Sequence, residues 1–158
     1  MGSGLHRDDG RTFGFVRSVT LCCNGIRVSG AGECGWDNPG MDFRAHADAW
    51  LAAWNAHDLD AIMACYSDDV EFVASTVARR WDRPDGRLHG KAELRKHFEL
   101  GLSLAPNLAF TEEALLIRPG GYALLYRREN GNRVLDVVEL DQDGHAGRVQ
   151  AFYEHEQR

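Results

Sequence analysis

From Leu108 onward the chain drops from a helical to a two-residue hydrophobic period and keeps that period almost to its end. "LAFTEEALLI", "YALLYRRE", "RVLDVVEL" and "RVQAFYE" are four β-rich runs separated by Pro119-Gly120-Gly121, Asn130-Gly131 and Asp141 to Gly144. Alternating runs joined by such short turns predict an antiparallel meander, with Asn130-Gly131 read as a two-residue type I′ turn. Half of every strand is apolar, so one face of the sheet needs a cover.

The cover lies upstream. Phe43, Ala47, Trp50, Leu51 and Trp54 form one helical stripe, which stops at Asn55-Ala56-His57. Asp58 is a good N-cap for a second helix, whose stripe is Leu59, Ile62, Met63 and Tyr66. The break lets the chain turn back, so that both short helices lie on the same sheet face. Val70 to Thr76 reads as a further strand, "RRWDRPDGRLHG" as a loop, and Lys91 to Leu102 as a third helix with Leu94, Phe98 and Leu102 on its stripe. The predicted architecture is α+β: a curved antiparallel sheet wrapped around N-terminal helices, leaving a cone-shaped pocket.

A chain of 158 residues suits one core. Residues 1–40 carry nine of the seventeen glycines, with Arg7, Arg11, Arg17 and Arg27 balanced by Asp8, Asp9, Glu33 and Asp37. That stretch is expected to be a Gly-rich flexible extension, and residues 41–158 the folded domain. Met41, directly before the first helix, fits a native start there. The formal charge of -6 falls entirely after residue 40 and argues against a nucleic-acid partner. No apolar run is long enough for a bilayer, and "FGFVRSVTLCC" lacks the continuous core of a secretory signal. A cytoplasmic location is the expectation. Cys22, Cys23, Cys34 and Cys65 have no zinc-knuckle spacing and are expected to be free thiols, a Cys22 or Cys23 bridge to Cys34 being the alternative in an exported protein. "HAD" and "HDLD" present no pair of ligands at metal spacing, so neither a metal nor a cofactor is expected.

"AWLAAWNAHDLDAIMACYSDDVEF", "LHGKAELRKHF" and "VVELDQDGHAGRVQAFYE" resemble the SnoaL-like branch of the nuclear transport factor two-like superfamily, and the likeness spans nearly all of residues 42 to 155. The resemblance implies a cone fold, a homodimer built on the convex sheet face (Leu124, Tyr126, Leu135 and Val137 are expected there), and cofactor-independent chemistry. It does not imply one activity, because isomerases, cyclases, hydrolases and binding domains share the fold. Laid on ketosteroid isomerase, Trp50 takes the place of the catalytic Tyr and Ala74 that of the base. Asp136 takes the place of the acid held neutral by an apolar site, a case that enzyme exemplifies. Ala151 takes the place of the acid in limonene epoxide hydrolase, which disfavours that reaction.

Strand parity counted from a two-residue turn puts Leu125, Arg127, Val134, Asp136 and Val138 on one face. The resemblance adds Val149, Ala151 and Tyr153 from the last strand. An Asp among valines should have a raised pKa unless a cation compensates, and Arg127 is the candidate cation. Asp136 is therefore either a neutral donor or locked to Arg127, and such a pair could equally be an internal salt bridge anchoring the sheet. Trp50, Trp54, Tyr66, Phe72, Trp81, Phe98 and Tyr153 are candidates for the pocket wall, although core packing accounts for each singly. His89 and His97 read as solvated or core-edge residues, and His57 and Asp58 as capping residues. Arg79 to Arg83 could meet an anionic ligand at the pocket mouth or simply be solvated. Two functions fit: acid-base chemistry of isomerase or cyclase type on a small hydrophobic carbonyl compound, with Asp136 and Arg127 at its centre, or a non-catalytic ligand-binding or dimerisation domain.

Overall fold

The computed structural model describes residues 41–154; the expectations for residues 1–40 and their three cysteines lie outside the described residues. Helix α1 (Phe43–Asn55) starts at Asp42, whose carboxylate accepts from the Ala45 amide at 2.9 Å. It ends in a Schellman motif: His57, at φ 55°, sends its amide to Trp54 O, and Asp58 sends its amide to Ala53 O. Asp58 then caps α2 (Leu59–Ala64) by accepting from Ala61 N at 3.0 Å. The break is also tied to the sheet. Asn55 exchanges two hydrogen bonds with the Phe110 backbone, and His57 Nε2 lies 2.7 Å from Leu108 O. Asp58→Ala should cost about 1 kcal/mol in urea unfolding, the usual worth of an N-cap; an unchanged midpoint would contradict the capping role.

β1 (Tyr66–Ala74) begins earlier than its β-branched core suggests, so Tyr66 belongs to a strand and not to the α2 stripe. α3 (Ser75–Trp81) occupies much of what the sequence presents as a strand end and loop. β2 (Arg87–His89) and α4 (Lys91–Leu104) follow, then β3 (Phe110–Arg118), β4 (Gly121–Arg128), β5 (Arg133–Leu140) and β6 (Ala146–Tyr153). Gly86 is forced by the turn before β2: φ is +65°, and a Cβ there would sit 2.8 Å from Ala74 O.

The six strands form one sheet in the order β2-β1-β6-β5-β4-β3. The meander β3 to β6 is antiparallel as expected, while β1 joins β6 in parallel. Register irregularities in β1, β3 and β6 mark where the sheet bends. The inner face carries Leu124, Val134 and Val149, which pack with Trp50, Ile62 and Leu94 from the helices in the core. The α+β expectation therefore holds, with all helices preceding the meander.

One parity expectation fails. The β4–β5 connection is a three-residue loop, Glu129 to Gly131, closed by Arg128 N to Asn132 O at 2.9 Å with Gly131 at φ +87°. Asp136 therefore pairs with Leu124 and not Leu125, and Arg127 pairs with Arg133. A slip of one residue moves a whole strand's side chains to the opposite face. Leu124, Tyr126 and Arg128 face inward; Leu125 and Arg127 face outward. The outer face accordingly carries Leu116, Leu125, Leu135, Val137 and Phe152, so Leu124 and Tyr126 are not on it. Leu116 and Phe152 are 65% and 54% exposed.

Candidate functional site

Between α1, α3, α4 and the inner sheet face lies a cavity of about 70 Å³, several times the roughly 10–15 Å³ that one water needs. Its wall is aromatic. Trp50 stacks on Phe110 at 5.6 Å, Phe110 meets Tyr126 at 4.6 Å, and Trp54 meets Phe98 edge-on at 4.9 Å. Asp136 is the sole carboxylate in the lining and is 4% exposed. Its Oδ2 accepts from the Tyr126 hydroxyl at 3.3 Å, and its Oδ1 has no partner.

Burial pushes the Asp136 pKa up to about 7, with the Tyr126 hydrogen bond pulling weakly the other way. Since Oδ2 is already an acceptor, the carboxyl proton belongs on Oδ1. Burial likewise raises the Tyr66 and Tyr126 hydroxyls, so both stay protonated. Four buried side-chain polar atoms among the described residues lack a partner, and three belong to residues lining this cavity: Trp54 Nε1, Arg128 Nε and Asp136 Oδ1. Such atoms are costly to bury, so three around one hollow mark it as a place where a polar molecule would be favoured.

Most of the expected wall is present. Trp50, Trp54, Tyr66, Phe72, Phe98, Ala151 and Tyr153 line the cavity with Asp136. Val138 and Val149 sit on the other side of Asp136, in a recess of about 10 Å³ near His46 and Tyr122. Arg127 does not belong to the site: it lies outside, paired with Glu113, which Arg133 also grips at 2.9 Å. No internal Asp136–Arg127 bridge exists. Trp81 is 39% exposed and outside the lining. Trp50 donates its indole N–H to the Tyr66 hydroxyl at 2.8 Å, leaving a ring face and no free donor. Ala74, at the place of the isomerase base, is buried beside Ala151.

The structure adds Thr76, Arg80, His97, Phe110, Tyr126 and Arg128 to the lining. His97 is 3% exposed, not solvated. It stands one helical turn after Leu94 on the buried face of α4, a spacing that could have revealed it. Trp81 Nε1 donates to His97 Nδ1 at 2.9 Å, and an indole N–H can only donate. The neutral ring therefore carries its proton on Nε2, which faces Thr76 Oγ1 at 3.3 Å; Thr76 Oγ1 in turn lies 3.4 Å from the Tyr153 hydroxyl. With each oxygen accepting from the preceding donor, the Tyr153 proton remains free for the cavity. Burial and the neighbouring Arg80 charge lower the His97 pKa to about 4. We expect ¹⁵N NMR to show the Nε2–H tautomer throughout the neutral range; a doubly protonated ring near pH 6 would contradict this chain.

Residues 47–154 match the SnoaL-like domain family. The chain belongs to that family. A SnoaL-like protein of unknown function from Burkholderia thailandensis is 31% identical, with a TM-score of 0.68, over 71% of this chain and 93% of that one. A Mycobacterium tuberculosis protein crystallised with estradiol-17β-hemisuccinate is 18% identical with a TM-score of 0.57, over 71% and 93% of the two chains. TerC, co-crystallised with polyporic acid, is 14% identical with a TM-score of 0.59, over 70% and 90%. The last two share the fold alone. A search of curated proteins finds no match. Among the described residues this SnoaL-like chain has no helix long and apolar enough to cross a membrane, and no cluster of three metal-ligating side chains.

Proposed function

We propose that this SnoaL-like domain binds a small, hydrophobic, carbonyl-bearing molecule in the cavity and moves a proton on it through Asp136. The observation that carries this reading is a buried carboxyl with an unpartnered oxygen in an aromatic cavity, where burial pushes its pKa up to about 7. A group with such a pKa serves as acid or base with similar ease at physiological pH. In its neutral form Oδ1–H donates to the carbonyl oxygen; in its ionised form the carboxylate takes a proton from the carbon beside it. The Tyr153 hydroxyl is placed to stabilise the resulting enolate oxygen. The ring faces of Trp50 and Phe110 supply apolar contact. Arg127 has no part in this scheme. The small ligands held by two proteins of the same fold support the pocket as a binding site.

The test is proton exchange. 2-Tetralone has acidic hydrogens beside a ketone and exchanges them slowly in D₂O. The wild-type domain should accelerate that exchange with a rate inflection near pH 7, and Asp136→Asn should remove the acceleration. An equal rate in the two proteins would overturn the catalytic role. A second reading, binding without catalysis, is favoured by one feature: His97 stays neutral with Nδ1 occupied, so no second titrating base lines the cavity among the described residues. Asp136-dependent binding of 2-tetralone with no faster exchange would establish that reading.

We further infer that a second copy covers the outer sheet face and that the domain works in the cytoplasm as a homodimer. Leu125, Leu135, Val137 and Phe152 give that face an apolar surface of the kind that marks protein contacts. Phe152→Glu should shift sedimentation from dimer to monomer, and a wild-type chain sedimenting as monomer would refute the proposal.

A further inference from the structure

Asp136 and Arg128 sit on the same inner face at opposite reaches of the cavity. Asp136 pairs with Leu124, and Arg128 lies four residues further along β4, roughly 13 Å of strand. Arg128 Nε is buried and unpartnered, while its Nη2 reaches Glu129 at 3.2 Å. On the facing helix α3, Arg80 also lines the cavity, and no ion pair or hydrogen bond holds it among the described residues. Its Nη1 lies 3.4 Å from where a Gly101 side chain would begin, so the guanidinium is laid along α4 at a position a larger residue would crowd. Burial and the charges of Arg128 and Arg79 disfavour the Arg80 cation, and only the Tyr153 hydroxyl counts in its favour. Two guanidiniums thus line one end of the cavity, close enough for the Arg128 charge to disfavour the Arg80 cation; Glu129 pairs with Arg128, and no carboxylate pairs with Arg80 among the described residues. The one acid in the lining is far off at the other end. Like charges brought together under partial desolvation are tolerated where an anion joins them, and a planar guanidinium is suited to hold a carboxylate by two parallel hydrogen bonds.

We propose that the molecule taken by this cavity carries a carboxylate, held between Arg80 and Arg128, at the end opposite the carbonyl that meets Asp136. This rests on the pocket reading above and adds a charge and a length: a flat, apolar body of about two fused rings, with the carbonyl at one end and an oxyanion at the other. The basic "RRWDR" run acquires a role through Arg80, the member that lines the cavity. Arg79 and Arg83 stay outside the lining, and Arg83 is held by Glu93 at 2.8 Å.

The test compares 2-tetralone with 6-oxo-5,6,7,8-tetrahydronaphthalene-2-carboxylate, the same ketone with a carboxylate across the ring system, by calorimetric titration. The carboxylate should bind roughly 10- to 100-fold tighter, the usual worth of hydrogen bonds to a charged group. That advantage should shrink with added salt, and in Arg128→Met the two ketones should bind alike. Arg80→Met, at an exposed position that leaves the core intact, should narrow the gap as well, which keeps the test open if Arg128→Met does not fold. If 2-tetralone binds in an Asp136-dependent way while the carboxylate adds nothing, or keeps its advantage in both arginine variants, the anion site is refuted and the ketone site stands. If neither ketone binds, both readings fall.

Discussion

Asp136→Asn should stabilise the folded protein, and the gain should grow as pH rises from about 4 to about 8. The carboxyl goes from an ordinary value of 3.8 to about 7 on folding. Between those values the folded state keeps a proton that the unfolded chain has lost. Stability therefore falls as pH rises through that interval, because the unfolded state binds fewer protons. Below 3.8 both states are protonated and the group contributes nothing. Above about 7 the full cost applies, on the order of 4 kcal/mol for a shift of about three units. An amide cannot ionise and escapes it. Urea unfolding of both proteins at several pH values measures the difference: the two curves should converge near pH 4 and separate steadily toward pH 8. A gap independent of pH would mean that Asp136 is charged in the folded state or pays no burial penalty.

A loss of similar size is expected at Trp50. Its ring fills the angle between α1 and the sheet, 6% exposed, stacked on Phe110 and edge-on to Tyr126 at 5.4 Å. Removing it in Trp50→Ala empties the centre of the aromatic wall and strands the Tyr66 hydroxyl, and should cost about 3–5 kcal/mol. Trp50→Phe keeps the apolar face and loses the indole N–H. Because that N–H is spent on Tyr66 and not on a ligand, Trp50→Phe should retain 2-tetralone affinity within a few fold, while losing about 1 kcal/mol of stability for the missing hydrogen bond. A loss of ligand affinity out of proportion to stability would assign Trp50 the orienting role that its alignment with the isomerase tyrosine implies.

What could be read ahead of the structure was what local chemistry controls. The α1–α2 break is announced by Asn55, His57 and Asp58, whose hydrogen-bonding side chains suit turns and caps; Asp58 does cap α2, while the Asn55 and His57 side chains bond the distant Phe110 and Leu108 backbone instead. The meander is announced by its turns and its period. Two features were hidden because they depend on distant chain or on one residue of register. The parallel β1–β6 pairing joins segments about 75 residues apart, and no local pattern reports it. The Asn130-Gly131 turn suits loops of two or three residues equally well; the shorter choice put Arg127 in the pocket and left Arg128 and Tyr126 out of it. Asp136 is unaffected, since β5 carries its own alternation, and it lines the cavity as expected.

α3 was hidden for another reason. "STVARRW" is a single short helix between a strand and a strong turn signal, too short to show a period of its own. Thr76 and Arg80, which α3 brings to the cavity, are therefore not announced by the sequence pattern. The belonging of this chain to the SnoaL-like domain family fixes the scaffold. The proposed chemistry rests on side chains that differ from the isomerase pattern at Trp50 and Ala74 and agree with it at Asp136.

The proposed centre depends most directly on the protonation state of Asp136. Following the Asp136 carboxyl carbon by ¹³C NMR as pH is varied, with Asp136→Asn to identify the signal, should give a midpoint near 7. A midpoint near 3.8, the ordinary value for an aspartate, would show a solvated or charge-compensated carboxylate and contradict the proposed centre.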